Sequence, residues 1–182
     1  MTALILIDIQ IGFDDPFWGQ RNNPDAEVAA GILLKAWRVR SAPIFHIRHV
    51  SVEPGSPLVG PGTDFKPEVA PLPGESVIEK HVNSAFISTD LEARLRNAGI
   101  EDVVICGLTT PHCVSTTTRM AANLGFRAFV AHDACAAFAS SADASWQANG
   151  EAPKPEAIHR AALSHLHGEF AQVVHSTDLI AK

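Results

Sequence analysis

An acid, an amine and a thiol that are far apart along the chain each occupy a position suited to catalysis. Asp8, Lys80 and Cys113 lie at or just past the C-terminal ends of predicted strands. A parallel sheet brings such strand ends together at one edge, so the three side chains can meet. A carboxylate can accept the thiol proton and return it to a leaving group, and an ammonium favours the thiolate. The three residues therefore predict nucleophilic catalysis by the cysteine.

The cysteine lies in the first turn of a predicted helix. Thr110 suits the N-cap, Pro111 suits the first helical position, and Gly125 suits the end of the helix. Cys113 would then be the third helical residue, among free backbone N–H groups at the positive end of the helix dipole. We expect this environment to favour the thiolate over the thiol.

Each of the three residues also has a purely structural interpretation. Asp8 could cap a turn, Lys80 could be a solvated surface charge, and Cys113 could be a small core residue. Only their joint occurrence, together with the helix start, favours catalysis.

Short β-rich runs alternate with helical patterns along the chain. This alternation predicts a parallel sheet with helices on both faces, and the unbroken apolar strands agree with it. The first helix should follow Asp25, with Val28, Ile32, Leu33, Ala36 and Trp37 on one side. The second should begin with a capping box at Thr89. The six predicted strands include the runs 3–7, 43–47, 77–80, 103–106, 127–131 and 170–174.

The composition is that of a globular protein without a nucleic-acid or membrane partner. The 182 residues, with 46% hydrophobic and 19% charged side chains, predict one domain over residues 1–182. A net charge of −6 gives no reason to expect nucleic-acid binding, and no apolar run reaches about 18 residues. The first residues do not resemble a signal peptide, and the three cysteines lack paired metal-ligand spacing. We therefore expect a cytoplasmic protein.

The segment 51–76 breaks the alternation of strands and helices, because it contains six prolines and four glycines. A loop this long in a compact domain either lines a functional site or is irregular surface. The sequence leaves both open, as it leaves open whether the loop would close its own site or a neighbour's.

Four motifs combine the residues named above with their neighbours. They read DxQxxF from Asp8, EKxxNSAF from Glu79, GLTTxxCVxxTxRxAxxLG from Gly107, and DAC from Asp133. Together they resemble the isochorismatase-like cysteine hydrolases, a superfamily that includes nicotinamidases and N-carbamoyl-amine amidohydrolases. The match runs from residue 3 to the last predicted strand and keeps the order of the elements.

The resemblance implies a three-layer α/β/α sandwich with a six-stranded parallel Rossmann-like sheet, in which Asp8, Lys80 and Cys113 form a catalytic triad. It also implies a cis peptide between Leu108 and Thr109, and an oxyanion hole formed by the backbone N–H groups of Thr109 and Cys113. It suggests a homo-oligomer. The implied activity is hydrolysis of a C–N bond in a small amide, ureido or carbamoyl compound, through a thioester intermediate.

Four further residues are candidates for contact with the small-molecule substrate. Phe13 and Trp18 follow the first strand and could form an aromatic wall, although aromatic residues there more often serve packing. Asn83 could bind substrate or cap a turn, and His112 could face the pocket or a neighbouring subunit.

The nicotinamidases that the motifs resemble carry an Asp/His metal cluster after the second strand. This chain instead has His46 and His49, which are three residues apart and would face opposite sides of a strand. We therefore predict no metal and no cofactor, and nicotinamide is less expected as the substrate. Isochorismatase itself lacks the cysteine and cleaves a vinyl ether, so Cys113 argues against that activity.

A non-catalytic binding or assembly protein that retains the fold is the alternative function. The intact set of Asp8, Lys80 and Cys113 argues against it.

Overall fold

Six parallel strands form one continuous sheet. The structure, a computed structural model, describes residues 1–148 and 150–181. The sheet has the order β3-β2-β1-β4-β5-β6, and every neighbouring pair is parallel. The strands are Thr2–Ile7 (β1), Ile44–His49 (β2), Ser76–Lys80 (β3), Asp102–Leu108 (β4), Arg127–Ala136 (β5) and Ala171–Val174 (β6). The winding reverses between β1 and β4, where doubly wound sheets bind their ligands.

Helices cover both faces of this sheet. Their bounds are Ala26–Val39 (α1), Leu91–Asn97 (α2), Ser115–Asn123 (α3), Pro155–Leu166 (α4) and Ser176–Ile180 (α5). α1 packs on α5, α3 packs on α4, and each pair also contacts β5. The two pairs thus form separate layers, and the predicted three-layer α/β/α sandwich is confirmed. None of the described helices has the length and hydrophobicity needed to cross a bilayer.

The core is built on the two central strands. Residues 3–7 of β1 and 103–106 of β4 are at most 1% exposed. Such strands are covered on both sides, which explains why their sequences are continuously apolar rather than alternating.

Two details of the helix predictions are wrong. Of the residues expected on one side of α1, Leu33 and Trp37 are buried, whereas Val28 and Ile32 are each 53% exposed, because the buried stripe is rotated away from them. The predicted capping box at Thr89 does not form. Asp90 is the N-cap of α2 without a side-chain cap, and the Thr89 hydroxyl donates to the carbonyl of residue 85 in the preceding turn.

Candidate active site

The ends of three strands at one edge of the sheet bring the acid, the amine and the thiol together. Asp8 directly follows β1, Lys80 ends β3, and Cys113 lies in the turn after β4. Lys80 Nζ donates to Asp8 Oδ2 at 2.6 Å and to Cys113 Sγ at 3.3 Å. The lysine and aspartate side chains are 0% and 1% exposed. The juxtaposition that the strand ends predicted is therefore present, and the lysine is not a solvated surface charge.

A glycine allows β4 to run very close to β1 beside the site. Gly107 pairs with Ile7 and has φ of +127°, a conformation that L side chains rarely adopt. A Cβ atom at Gly107 would lie 2.0 Å from the carbonyl oxygen of Ile7. Asp8, the next residue of the chain, is itself left-handed with φ of +51°. Aspartate adopts this region more readily than most residues.

The cysteine lies in a π-helical turn, Thr110–Val114, that precedes α3. The predicted N-cap is wrong, because Thr109 occupies that position and the buried Thr110 hydroxyl instead pairs with His159 Nδ1 at 2.8 Å. The peptide bond between Leu108 and Thr109 is cis.

Burial opposes the thiolate that the helix start favours. Burial raises the pKa of the Cys113 thiol, and the negative charge of Asp8 raises it further. Lys80 lowers this pKa but does not offset the other two effects. Burial and Asp8 therefore oppose the thiolate that Lys80 and the helix start favour, so a base beside the sulfur is needed to take up its proton.

Asp8 is suited to be that base. Burial raises its pKa, while the charge and the hydrogen bond of Lys80 oppose the rise. One carboxylate oxygen lies within 4.8 Å of Cys113 Sγ. The Oδ1 atom of Asp8 is buried and has no hydrogen-bond partner among residues 1–148 and 150–181. A carboxylate with a raised pKa holds a proton more readily, which improves it as a general base.

His49 is a fourth member of the site that sequence reasoning missed. Its Nδ1 lies 2.9 Å from Lys80 Nζ. Burial and the charge of Lys80 lower its pKa to about 4, so the ring is neutral and Nδ1 accepts from the ammonium. The signal that could have found it is register, because His49 ends β2 directly beside Lys80.

The side chain of Gln10 fixes the backbone of this histidine. Gln10 is fully buried; its Oε1 accepts from His49 N at 2.7 Å, and its Nε2 donates to His49 O at 2.9 Å. The same Nε2 donates to the carbonyl of Thr63 at 3.2 Å. A single amide therefore joins the segment after β1 to the end of β2 and to the long loop.

The donor atoms of Asp8, His49 and Cys113 lie close enough together to suggest a metal site. However, Lys80 Nζ is hydrogen-bonded to all three, so an ammonium already occupies the position a cation would take. These residues do not fit a metal ion. His46 faces elsewhere, with its Nε2 at 2.9 Å from a carboxylate oxygen of Glu75.

A cavity of about 240 Å³ opens onto the cysteine. The predicted substrate contacts Phe13, Trp18, Asn83 and His112 all line it, as do both residues of the predicted oxyanion hole. Asn83 Oδ1 lies 3.6 Å from Cys113 Sγ. Of the predicted site residues, Asp8 and Lys80 are buried behind Cys113 and the others line the cavity, and the contacts of all of them with a substrate stay a prediction.

The long loop supplies one wall of the cavity from this same chain. Its lining residues are Ser51, Glu53, Pro54, Ser56 and Leu58. The loop packs closely on the segment after β1, since a Cβ at Gly12 would lie 2.7 Å from the carbonyl oxygen of Pro57. Of the two interpretations that the sequence left open, the structure selects a loop that lines the site.

Comparisons with known proteins show which proteins the chain resembles. The family model described as Isochorismatase domain matches residues 2–178. The isochorismatase family protein YrdC of Bacillus subtilis is 44% identical over 98% of this chain and 94% of its own. Nicotinamidase 3 of Arabidopsis thaliana is 27% identical over 96% of this chain and 84% of its own. An isochorismatase-family crystal structure from Chromobacterium violaceum has a TM-score of 0.92 and 47% identity, covering 99% of this chain and 92% of that one.

Proposed function

The chain belongs to the isochorismatase family, and on that premise we propose that it is a cysteine-dependent hydrolase. It cleaves a C–N bond in a small amide, ureido or carbamoyl compound. The observation that carries the proposal is the contact of Lys80 with both Asp8 and Cys113 beside the cavity. Burial raises the pKa of both the Cys113 thiol and the Asp8 carboxyl, which supports proton transfer from the sulfur to the carboxylate.

The first step moves the thiol proton of Cys113 to a carboxylate oxygen of Asp8. Lys80 already donates to the sulfur, so it stabilises the negative charge as the charge develops there. The thiolate then attacks the carbonyl carbon of the substrate, and a C–S bond forms as the carbonyl π pair moves to oxygen.

The second step expels the amine. The backbone N–H groups of Thr109 and Cys113 hold the oxyanion, and loss of one such donor typically costs on the order of 100-fold in rate. As the carbonyl re-forms, the C–N bond breaks and Asp8 returns its proton to the departing nitrogen. The products are ammonia or an amine and a thioester on the cysteine.

The third step hydrolyses this thioester. Asp8, again a carboxylate, takes a proton from water, and the resulting hydroxide attacks the acyl carbon. The C–S bond then breaks, the proton passes from Asp8 to sulfur, and the acid product leaves. Both side chains return to their starting protonation states.

A panel of amides, ureides and carbamoyl amines, assayed for release of ammonia, tests the proposal. We expect turnover of at least one compound, its loss in Cys113→Ala, and a covalent acyl adduct on Cys113 detected by mass spectrometry. Cys135→Ala is the matched control, because Cys135 is a buried thiol outside the cavity, and it should retain activity. Turnover that survives Cys113→Ala would overturn the mechanism. No turnover of any compound would favour the non-catalytic binding protein.

A further inference from the structure

One acidic residue borders the cavity in the part of the chain that the structure describes. Among the described residues that line it, Glu53 is the acid, and neither lysine nor arginine is present. Lys80 lies behind the cysteine with a side chain that is 0% exposed, and it already donates to Asp8, His49 and Cys113. A negatively charged substrate would therefore meet a carboxylate and no cation to balance it.

The two histidines of the cavity do not supply positive charge either. Burial and the neighbouring ammonium lower the pKa of His49 to about 4. Burial lowers the pKa of His112, although a hydrogen bond with the backbone of Ser141 opposes this shift. Both rings are neutral near pH 7, so the walls of the cavity carry the single negative charge of Glu53.

The rings of Phe13, Phe17 and Trp18 form one wall of the cavity. The ring centroids of Phe13 and Trp18 are 4.7 Å apart, and those of Phe17 and Trp18 are 5.0 Å apart with an interplanar angle of 86°. All three line the cavity, and Phe17 is 58% exposed. The faces of aromatic rings are electron-rich and attract organic cations, and several rings at an angle make the usual receptor for an alkylammonium group.

Hydrogen bonds within the loop fix the backbone at Glu53. Glu53 N donates to Ser51 Oγ at 3.1 Å, and the Glu53 carbonyl accepts from Ser56 N at 3.3 Å. Ser51 N donates to the carbonyl of Leu58 at 2.9 Å, which closes the loop, and Leu58 is buried against Phe13. The backbone of Glu53 is thus anchored in the loop that packs on the aromatic wall, and its side chain is exposed.

We propose that this cavity selects amides whose remaining part carries a positive charge, and that Glu53 and the rings around Trp18 recognise that charge. This inference rests on the proposed function for the amide end of the substrate, which faces Cys113. It adds the chemical class of the other end, which is an ammonium or alkylammonium group. Carboxylate-bearing amides are excluded.

Two isosteric probes separate charge from shape. Trimethylammonioacetamide and 3,3-dimethylbutanamide differ only by exchange of N⁺ for carbon, and succinamate carries the opposite charge. Binding to Cys113→Ala, measured by titration calorimetry, does not depend on turnover. We expect the cationic probe to bind about tenfold more tightly than its neutral isostere, because cation–π and ion-pair attraction add. Succinamate should bind more weakly than either.

Substitutions at Glu53 test the residue assignment. In the Cys113→Ala background, Glu53→Gln should reduce the preference for the cation to about threefold, leaving the contribution of the rings. Glu53→Lys should favour succinamate over the cationic probe. Glu169→Gln is the matched control, because Glu169 is an exposed acid outside the cavity, and it should leave the preference unchanged.

The outcomes separate this inference from the proposed function. Equal binding of the two isosteres, or an unchanged preference in Glu53→Gln, overturns the charge selection even if Cys113-dependent turnover is found. A tenfold preference that falls in Glu53→Gln supports the charge selection even if no amide is hydrolysed. Tighter binding of succinamate to the Cys113→Ala protein also overturns it.

Discussion

Lys80 holds the centre of the active site because each of its three ammonium N–H groups has an acceptor. These acceptors are Asp8 Oδ2, His49 Nδ1 and Cys113 Sγ. A buried ammonium is costly unless it is paired and hydrogen-bonded, so the charge depends on all three partners. The lysine therefore orients the acid and the sulfur as well as balancing their charge.

Replacing His49 with leucine removes one acceptor of this ammonium. We expect kcat to fall about tenfold or more, because an unpaired buried donor costs on the order of 1–3 kcal/mol and Lys80 would seek another partner. His49→Asn keeps an acceptor near the same place and should restore most of the loss. Steady-state kinetics on a compound found by the ammonia assay measure both variants. Equal losses in the two variants would mean that the imidazole serves only as packing.

The acid can be tested by a change that preserves its shape. Asp8→Asn retains the size of the side chain but cannot take the thiol proton, so we expect kcat to fall by about 10²–10⁴-fold. Alkylation of Cys113 by iodoacetamide across a range of pH should change as well, since Asp8 raises the thiol pKa. Removal of its charge should shift the alkylation profile to lower pH. An unchanged profile would contradict the electrostatic coupling of the two groups.

At the scale of elements, the site depends on how closely the end of β4 approaches β1. We expect Gly107→Ala to destabilise the fold by about 3 kcal/mol or more, because its Cβ would collide with backbone and its φ of +127° would be strained. Gly125→Ala is the matched control: its φ is also positive, at +88°, but beyond its chain neighbours no atom of residues 1–148 and 150–181 lies within 4 Å of the new Cβ. It should cost about 1 kcal/mol. Urea unfolding measures both, and equal losses would argue against the close approach.

The sequence predicts the strands better than the elements at their ends. Apolar runs locate β1 and β4 because both strands are buried on both sides. The π-helical turn was missed because Thr110 reads locally as an N-cap, whereas its hydroxyl pairs with His159, 49 residues away. The exposed side of α1 was missed because Val28 and Ile32 are apolar, and only tertiary packing decides which apolar stripe is covered.

At the scale of the whole molecule, buried histidines couple stability to pH. Burial lowers the pKa of four histidines, and that of His49 falls from 6.5 to about 4. Between these values the unfolded chain binds protons that the folded chain does not, so the stabilising effect is complete above pH 6.5 and is lost as the pH falls towards 4. The four residues are His46, His49, His112 and His159.

Two acids also make the stability depend on pH, with opposite signs. Arg38 lowers the pKa of Glu75 from 4.5 to about 2, so its contribution is lost as the pH falls from 4.5 towards 2. Burial raises the pKa of Asp8 above 3.8, so its contribution to stability is present at low pH. That contribution is lost as the pH rises through the raised value. Because four histidines act together, we expect the free energy of unfolding to fall between pH 7 and pH 4.

Urea unfolding at several pH values tests this expectation. His49→Asn removes one of the titrating groups and should reduce the slope of stability against pH below 6.5. A free energy of unfolding that is constant from pH 7 to pH 4, or a slope unchanged in this variant, would contradict the assignment.

The family, and the approach of Asp8, Lys80 and Cys113 to one another, could be predicted from the sequence. The shape of the cavity could not. The motif around Cys113 and the order of the strands sufficed for the family, which the matches confirm. The place of Glu53 beside the cavity could not be predicted, because it depends on how a proline-rich loop folds onto Gly12. The homo-oligomer and the cytoplasmic location stay predictions.

The three thiols differ in burial, so their labelling shows whether the chain is folded. Cys113 is 8% exposed and borders the cavity, whereas Cys106 and Cys135 are 0% exposed inside the sheet. A small electrophile that enters the cavity can therefore add one mass increment to a folded molecule and three to an unfolded one. Intact-mass spectra would then count the two populations directly, with no engineered label.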